Sequence, residues 1–193
     1  MKLIVGLGNP GRAYADNRHN VGFMCLNHFA RKHGIRFDKN QGKARIGSGE
    51  VAGNKVIVAR PQTYMNLSGQ AVSRLLRKSS ISPHELLIIH DDLDLPLGKI
   101  RIRHSVGRTG HKGVRSVLNE VGYDDLTLLR VGIGRPPPIE GSPEIKEAEI
   151  ISYVLSDFTS EEKRTIDQVI PRMSEAILCL LSEGLTAAMN KYN

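Results

Sequence analysis

Four segments of this 193-residue chain combine turn-forming residues with side chains able to bind ligands or move protons. They are GLGNPGRAY (6–14), NRHNVG (17–22), PQTYMNLSG (61–69) and HDDLDLPLG (90–98). Each lies where a strand ends or a helix begins. In an open α/β sheet the loops at the carboxyl ends of the strands converge on one crevice, so residues distant in sequence can meet there. Two narrower readings of these segments fail. Gly6-Leu7-Gly8-Asn9-Pro10-Gly11 has the G-x-G-x-x-G spacing of a dinucleotide-binding turn. However, Pro10 has no N–H to offer a pyrophosphate, another loop stretch (RAYADN) follows, and the acidic residue expected about 20 residues on is missing. The glycines instead let the backbone and Asn9 lie close to a ligand. Asp91, Asp92 and Asp94 beside His90 suggest a cation site, which would need converging oxygens. Leu95-Pro96 ends the strand that would align Asp92 with Asp94, and loop capping and surface exposure account for both.

The elements that must position these segments follow from periodicity. LIVGL (3–7) and LLIIH (86–90) are apolar runs expected as buried strands, and LTLLRVGIG (126–134) is a third. Residues 44–51 and 54–60 alternate around Gly53-Asn54, a hairpin pattern. KIRIR (99–103) alternates strictly, with Lys99, Arg101 and Arg103 on one side and Ile100 and Ile102 on the other. Helical spacing marks 18–33, 66–78 and 113–121, and Thr159-x-x-Glu162 is a capping-box pattern opening a helix towards Gly184, to be kinked at Pro171. Residues 135–146, with Pro136-Pro137-Pro138, read as loop or lid. Alternating strands and helices predict a single α/β domain over 1–193: a mixed, mostly parallel twisted sheet with helices on both faces and one antiparallel hairpin.

Charge is distributed unevenly. Residues 1–115 carry 20 Lys/Arg against 7 Asp/Glu, whereas residues 116–193 carry 7 against 13. A basic excess confined to one part of the chain suggests a face that meets a polyanion. Cys25 and Cys179 sit in apolar, helix-like segments with no C-x-x-C, and are expected as reduced core thiols. No apolar run approaches membrane-spanning length, and the apolar stretch after Lys2 is too short for a signal-peptide core. A cytoplasmic protein without a membrane partner is expected.

Taken together, GLGNPG, NRHNVGF, RPQTYMNLSG, HDDLDLPLG and LRVGIGRP resemble bacterial-type peptidyl-tRNA hydrolase in order and spacing, from Lys2 to about Asn190. The resemblance implies a monomeric α/β enzyme that hydrolyses the ester of peptidyl-tRNA lost from the ribosome, without metal or other cofactor. By position, His19 matches the family's general base and Asp91 the carboxylate that orients it. The chemistry agrees, since an ester yields to water activated by one imidazole, and a carboxylate on the other ring nitrogen fixes the tautomer. Asn9 matches the residue that separates N-blocked from free aminoacyl-tRNA. Tyr14, Tyr64 and Asn66 match contacts to the tRNA end, and Met65 one to the peptide. An aromatic ring can stack on an unpaired base, and an Asn amide both donates and accepts. Arg103 and Arg130 match a clamp on the tRNA 5′-phosphate, a rail that Arg101 and Arg108 would extend. The chain departs from the family where His111-Lys112-Gly113 replaces the usual His-Asn-Gly, exchanging an amide at the tRNA acceptor end for a positive charge, and where Asn17 replaces a common Thr. The competing expectation is a non-catalytic RNA-binding relative; retention of His19, Asp91, Asn9 and Asn66 favours the enzyme, because binding alone needs no oriented base.

Overall fold

The computed structural model describes residues 1–106 and 109–193; Arg108, one end of the expected arginine rail, lies outside the described residues. In chain order the strands are β1 (Lys2–Gly6), β2 (Lys39–Gln41), β3 (Ala44–Val51), β4 (Asn54–Pro61), β5 (Leu86–Asp92), β6 (Ile100–Val106) and β7 (Asp125–Gly132). The helices are α1 (Val21–Lys32), α2 (Ser68–Lys78), α3 (Lys112–Val121), α4 (Pro143–Val154), α5 (Ser160–Glu183) and α6 (Leu185–Tyr192). All seven strands join one sheet in the order β2-β3-β4-β1-β5-β7-β6. The central four, β4, β1, β5 and β7, run parallel; β3 and β6 flank them antiparallel, and β2 pairs antiparallel with β3 at the outer edge. The sheet is mixed, as expected. Its second antiparallel edge was not legible in the sequence, because strict alternation says that one face of β6 is buried but not which way its neighbour runs.

Side-chain alternation builds a core on each face. Ile4 joins Val56, Val58, Leu87 and Ile89 in a cluster completed by α1, α5 and α6. Leu3 and Val5 face the other way and join Ala59, Leu86 and Ile88 beneath α2 and α3. Strands buried on both faces read as continuous apolar runs, which is why β1 and β5 were recognisable. The helix nearest the site depends on one close approach. A Cβ at Gly22 would fall 2.5 Å from the Ile89 carbonyl oxygen and 2.6 Å from that of Leu7. Glycine there lets α1 start directly against the strand ends, and so brings the preceding turn, with His19, beside β5.

Local expectations differ from the structure at two places. The β3–β4 hairpin turns on Ala52-Gly53 rather than Gly53-Asn54, since Asn54 already pairs with Val51. Both turn residues have positive φ, 50° and 74°, as in a type I′ turn, which matches strand twist. The stretch 135–146 is loop only as far as Ser142. The Ser142 hydroxyl caps α4 by accepting from the Ile145 N–H at 3.4 Å, with Pro143 and Glu144 in the first turn. The triple proline upstream obscured that start signal. As expected, α5 has its capping box, Thr159 Oγ1 accepting from Glu162 N at 3.2 Å and the Glu162 carboxylate from Thr159 N at 2.8 Å, and Pro171 lies inside this helix. Cys25 and Cys179 are free and buried, and burial pushes the Cys25 thiol up to about 12. No helix among the described residues is long and apolar enough to cross a membrane.

Candidate active site

A cavity of about 710 Å³ opens at the carboxyl ends of the central strands. His19, Asp91 and Asn9 line it, as do Tyr14, Tyr64, Met65 and Asn66, and on its far side Arg103, Arg130 and Lys112. The fold therefore gathers the proposed catalytic, peptide-contacting and tRNA-contacting residues into one crevice, whereas Arg101 does not line it.

At its floor a buried carboxylate is held from two sides. His19 Nδ1 lies 2.8 Å from Asp91 Oδ2, and His111 Nε2 lies 2.8 Å from Asp91 Oδ1. The hydrogen bonds also determine the tautomers. His111 Nδ1 accepts from the Gly113 and Val114 N–H groups at 3.1 and 3.2 Å, capping α3, so the proton of this ring sits on Nε2 and is donated to Asp91. Burial of Asp91 opposes its charge. The attraction of His19 and His111, together with the hydrogen bonds both rings donate, outweighs burial and holds the carboxyl well below the usual carboxylate range. An ionised Asp91 only accepts, so His19 donates from Nδ1 and is left with a free lone pair on Nε2. His19 is only 14% exposed, and that exposure is towards the cavity.

His111 and His90 did not figure among the candidate residues. His90 donates from Nδ1 to the Asp91 carbonyl at 2.6 Å and packs edge-on to His111, ring centroids 4.7 Å apart. Burial, with His111 close by, drives its pKa down to about 3, so this ring is neutral at working pH. The signal for His111 was available: a side chain able to accept N–H groups directly before a helix reads as an N-cap. Arg18 was also overlooked. It is buried beneath the His19 turn, where its guanidinium bonds Ser156 Oγ at 2.5 Å, the Asp157 carbonyl at 2.6 Å and Glu162 Oε2 at 2.5 Å. Asn17 Nδ2 donates to Asp157 Oδ1 at 2.6 Å. The turn that carries His19 is thus tied to the start of α5.

Asn9 is fixed as firmly. Its N–H donates to Asn20 Oδ1 at 2.9 Å, its carbonyl accepts from Asn20 Nδ2 at 2.8 Å, and its Oδ1 accepts from the Met65 N–H at 2.8 Å. Its amide Nδ2 is the end left for a ligand. Met65 is buried, whereas Tyr64 is 60% exposed at the rim and Asn66 is exposed beside it.

The arginines sit on β6 and β7. Arg101 pairs directly opposite Arg130, and Arg103 opposite Leu128, so the three basic side chains share one face of the sheet; only Arg103 and Arg130 reach the cavity. Asp92, expected to be surface-exposed, is instead buried. Its Oδ2 takes the Arg130 Nε–H and its Oδ1 the Asp94 N–H at 2.8 Å. The strand persists through Asp92, which turns that carboxylate inward to the cation on β7. One edge of the Arg130 fork is therefore already used. Lys112 bonds Glu147 Oε1 at 2.9 Å across the cavity, both side chains being largely exposed. Glu147 belongs to α4, which with the Leu155 that follows it adds Ile150, Ile151 and Val154 to the cavity wall.

His19, Asp91 and His111 form the one group among the described residues whose donor atoms, all within 4.8 Å, could share a cation. Those atoms already bond one another, and both ring nitrogens direct protons at the carboxylate. A cation would have to displace both protons. The arrangement suits proton transfer by His19 better than coordination.

Known proteins carry the same chain pattern. The family model described as peptidyl-tRNA hydrolase matches residues 3–193. Peptidyl-tRNA hydrolase of Dehalococcoides mccartyi is 44% identical over 193 residues, all of both chains. That of Chloroflexus aggregans is 45% identical over 194 residues, covering all of this chain and 99% of the relative. The crystal structure of peptidyl-tRNA hydrolase from Acinetobacter baumannii superposes with a TM-score of 0.89 at 38% identity, covering 100% of this chain and 94% of that one. With a match from end to end in both sequence and fold, the chain belongs to the peptidyl-tRNA hydrolase family and is a hydrolase.

Proposed function

We propose that the protein hydrolyses the ester between peptide and tRNA with water as nucleophile, His19 as general base and Asp91 as its orienter. The observation that carries this reading is the buried carboxylate that takes the Nδ1 proton of His19 at 2.8 Å, leaving Nε2 basic towards the cavity. A water held by Nε2 gives up its proton there as its oxygen adds to the ester carbonyl carbon. The tetrahedral intermediate then collapses with cleavage of the bond to the terminal ribose oxygen, and the imidazolium returns the proton to that leaving oxygen. Asp91 stabilises the imidazolium in between.

The remaining candidates divide the substrate among them. Asn9 Nδ2 donates to the acyl carbonyl of an N-blocked residue, a group that a free aminoacyl ester lacks. Met65 and the apolar side chains of α4 flank the peptide. Tyr14 and Tyr64 stack on the terminal bases, with Asn66 bonding beside them. Arg103, the free edge of Arg130, and Lys112 neutralise phosphates of the acceptor end and 5′ terminus. The substrate would be peptidyl-tRNA released from the ribosome, met in the cytoplasm by a monomer.

The test is incubation with N-acetyl-aminoacyl-tRNA and with the unblocked ester, with and without a chelator. Release from the blocked substrate alone, unchanged by chelator, is expected. Tight tRNA binding with no turnover would replace the enzyme by a binding protein.

A further inference from the structure

A second cavity, of about 560 Å³, lies between α1 and the β3–β4 hairpin, lined by Arg31, Arg36, Phe37 and Arg60 among others. Arg60 is the informative member. Its side chain is half-buried at the end of β4, its Nε is shut off from water without any hydrogen-bond partner, and among the described residues no carboxylate lies within 4.0 Å of its guanidinium. Its guanidinium lies over aromatic faces, Phe37 at 4.2 Å and Phe23 at 6.0 Å from the ring centroids. Arg18, whose Nε is also unpartnered, shows how this chain neutralises a buried arginine whose role is structural: a carboxylate, a hydroxyl and a carbonyl bond its two terminal nitrogens. Arg60 has none of these, and a half-buried cation without a counter-charge is costly unless a ligand supplies it.

The surroundings fit an anion. Arg31 and Arg36 are exposed and make no ion pair among the described residues. From 27 to 60 the chain carries eight Lys/Arg against two Asp/Glu, a basic excess in the segment that lines this cavity. Guanidinium forks match the oxygens of a phosphoryl group in pairs. The location links this cavity to the catalytic one. The Phe23 ring beside Arg60 also packs on Gly8, next to Asn9, where a Cβ would meet it at 2.8 Å. Four residues beyond Arg60, Tyr64 stands exposed on the catalytic rim.

We propose that Arg31, Arg36 and Arg60 form a second phosphoryl-binding site, outside the catalytic cavity, that takes a backbone phosphate of the RNA substrate. The assignment to RNA rests on the function proposed above. It is tested with R31Q/R36Q, which changes two exposed side chains, and with R60Q. Three readouts are compared with wild type: affinity for deacylated tRNA as a function of salt, hydrolysis of N-acetyl-aminoacyl-tRNA and of an N-acetyl-aminoacyl-adenosine, and thermal stabilisation by inorganic phosphate. For R31Q/R36Q, tRNA affinity should fall on the order of tenfold near physiological salt, and the slope of log affinity against log salt should flatten by about one to two. KM for the tRNA substrate should rise in step, while the adenosine ester is turned over within about twofold of wild type. R60Q should act in the same direction if it folds; if it does not, the exposed pair decides alone. Wild-type tRNA affinity and slope in R31Q/R36Q would overturn the site. So would stabilisation by inorganic phosphate, lost in R31Q/R36Q, with tRNA binding unchanged, which would make it a site for a free phosphate compound. Failure of the wild-type protein to hydrolyse either ester would strike the proposed function instead, and the tRNA-binding arm would still report on the arginines.

Discussion

The two walls of the catalytic cavity are built by different physics. On one side, His19, Asp91, His111 and Asn9 are held by buried or half-buried hydrogen bonds at 2.8–3.2 Å that leave His19 Nε2 and Asn9 Nδ2 free for a ligand. On the other, α4 meets the site through the exposed Lys112–Glu147 pair, and Asp94 and Arg135, both more than half exposed, form a second such link nearby. Buried networks are rigid and resist salt, because a broken bond leaves a desolvated group behind. Exposed ion pairs contribute up to about 1 kcal/mol and are screened. The groups proposed for chemistry are thus pre-positioned on the first wall, and the second can yield to a substrate that brings its own phosphates and apolar side chains.

That contrast is open to direct attack. His19→Ala should give the largest loss, about 10²–10⁴-fold in kcat on N-acetyl-aminoacyl-tRNA with tRNA affinity nearly unchanged. Near-wild-type turnover would take the base away from the rigid wall. Asp91→Asn should follow with a smaller loss in kcat, because a misoriented imidazole is still basic; a loss as large as that of His19→Ala, in a folded variant, would mean that Asp91 does more than orient. Arg103→Ala and Arg130→Ala come next. Each should weaken tRNA binding, flatten its salt dependence by about one unit, and spare a minimal ester that lacks the tRNA body. Equal losses on both substrates would move these arginines into the chemistry.

The smallest effects on rate belong to the exposed wall. Lys112→Asn should retain hydrolysis within a few-fold and reduce the salt dependence of KM, and Glu147→Gln, which frees the ammonium for phosphate, should lower KM at low salt. If Glu147→Gln instead depressed kcat, α4 would be part of the rigid framework. The rigid wall should in turn own an acid sensitivity that the other lacks. Folded His90 resists protonation down to about pH 3, whereas an unfolded imidazole takes its proton below about 6.5. The stability contributed by the neutral buried ring is therefore complete above pH 6.5 and declines as pH falls towards 3. The loss at Asp91 has the same direction but begins only as pH falls through the ordinary carboxylate range, where the unfolded side chain takes up a proton, and it continues well below that range because the folded carboxyl resists protonation. Melting temperature should drop between pH 6.5 and 4 in the wild type and less in His90→Asn; parallel curves would mean that another group carries the acid sensitivity.

Much of this molecule is written locally. Apolar runs buried on both faces mark β1, β5 and β7, the alternating pattern marks β6, and the Thr159–Glu162 capping box marks the start of α5, because each is a short-range consequence of burial or backbone hydrogen bonding. The motifs around Asn9, His19, Met65 and Asp91 were likewise legible as polar groups at strand and helix ends. Only the tertiary structure decided that β6 runs antiparallel to β7, that Asp92 turns in to Arg130, and that Lys112 is met by Glu147 from a helix whose first residues read as loop. It alone made His111 both the cap of α3 and the second holder of Asp91, and left Arg60 Nε without a hydrogen-bond partner among the described residues. Periodicity and caps are determined by residues within about a turn of one another, whereas the partner of a charge is chosen by which distant elements the sheet order brings side by side.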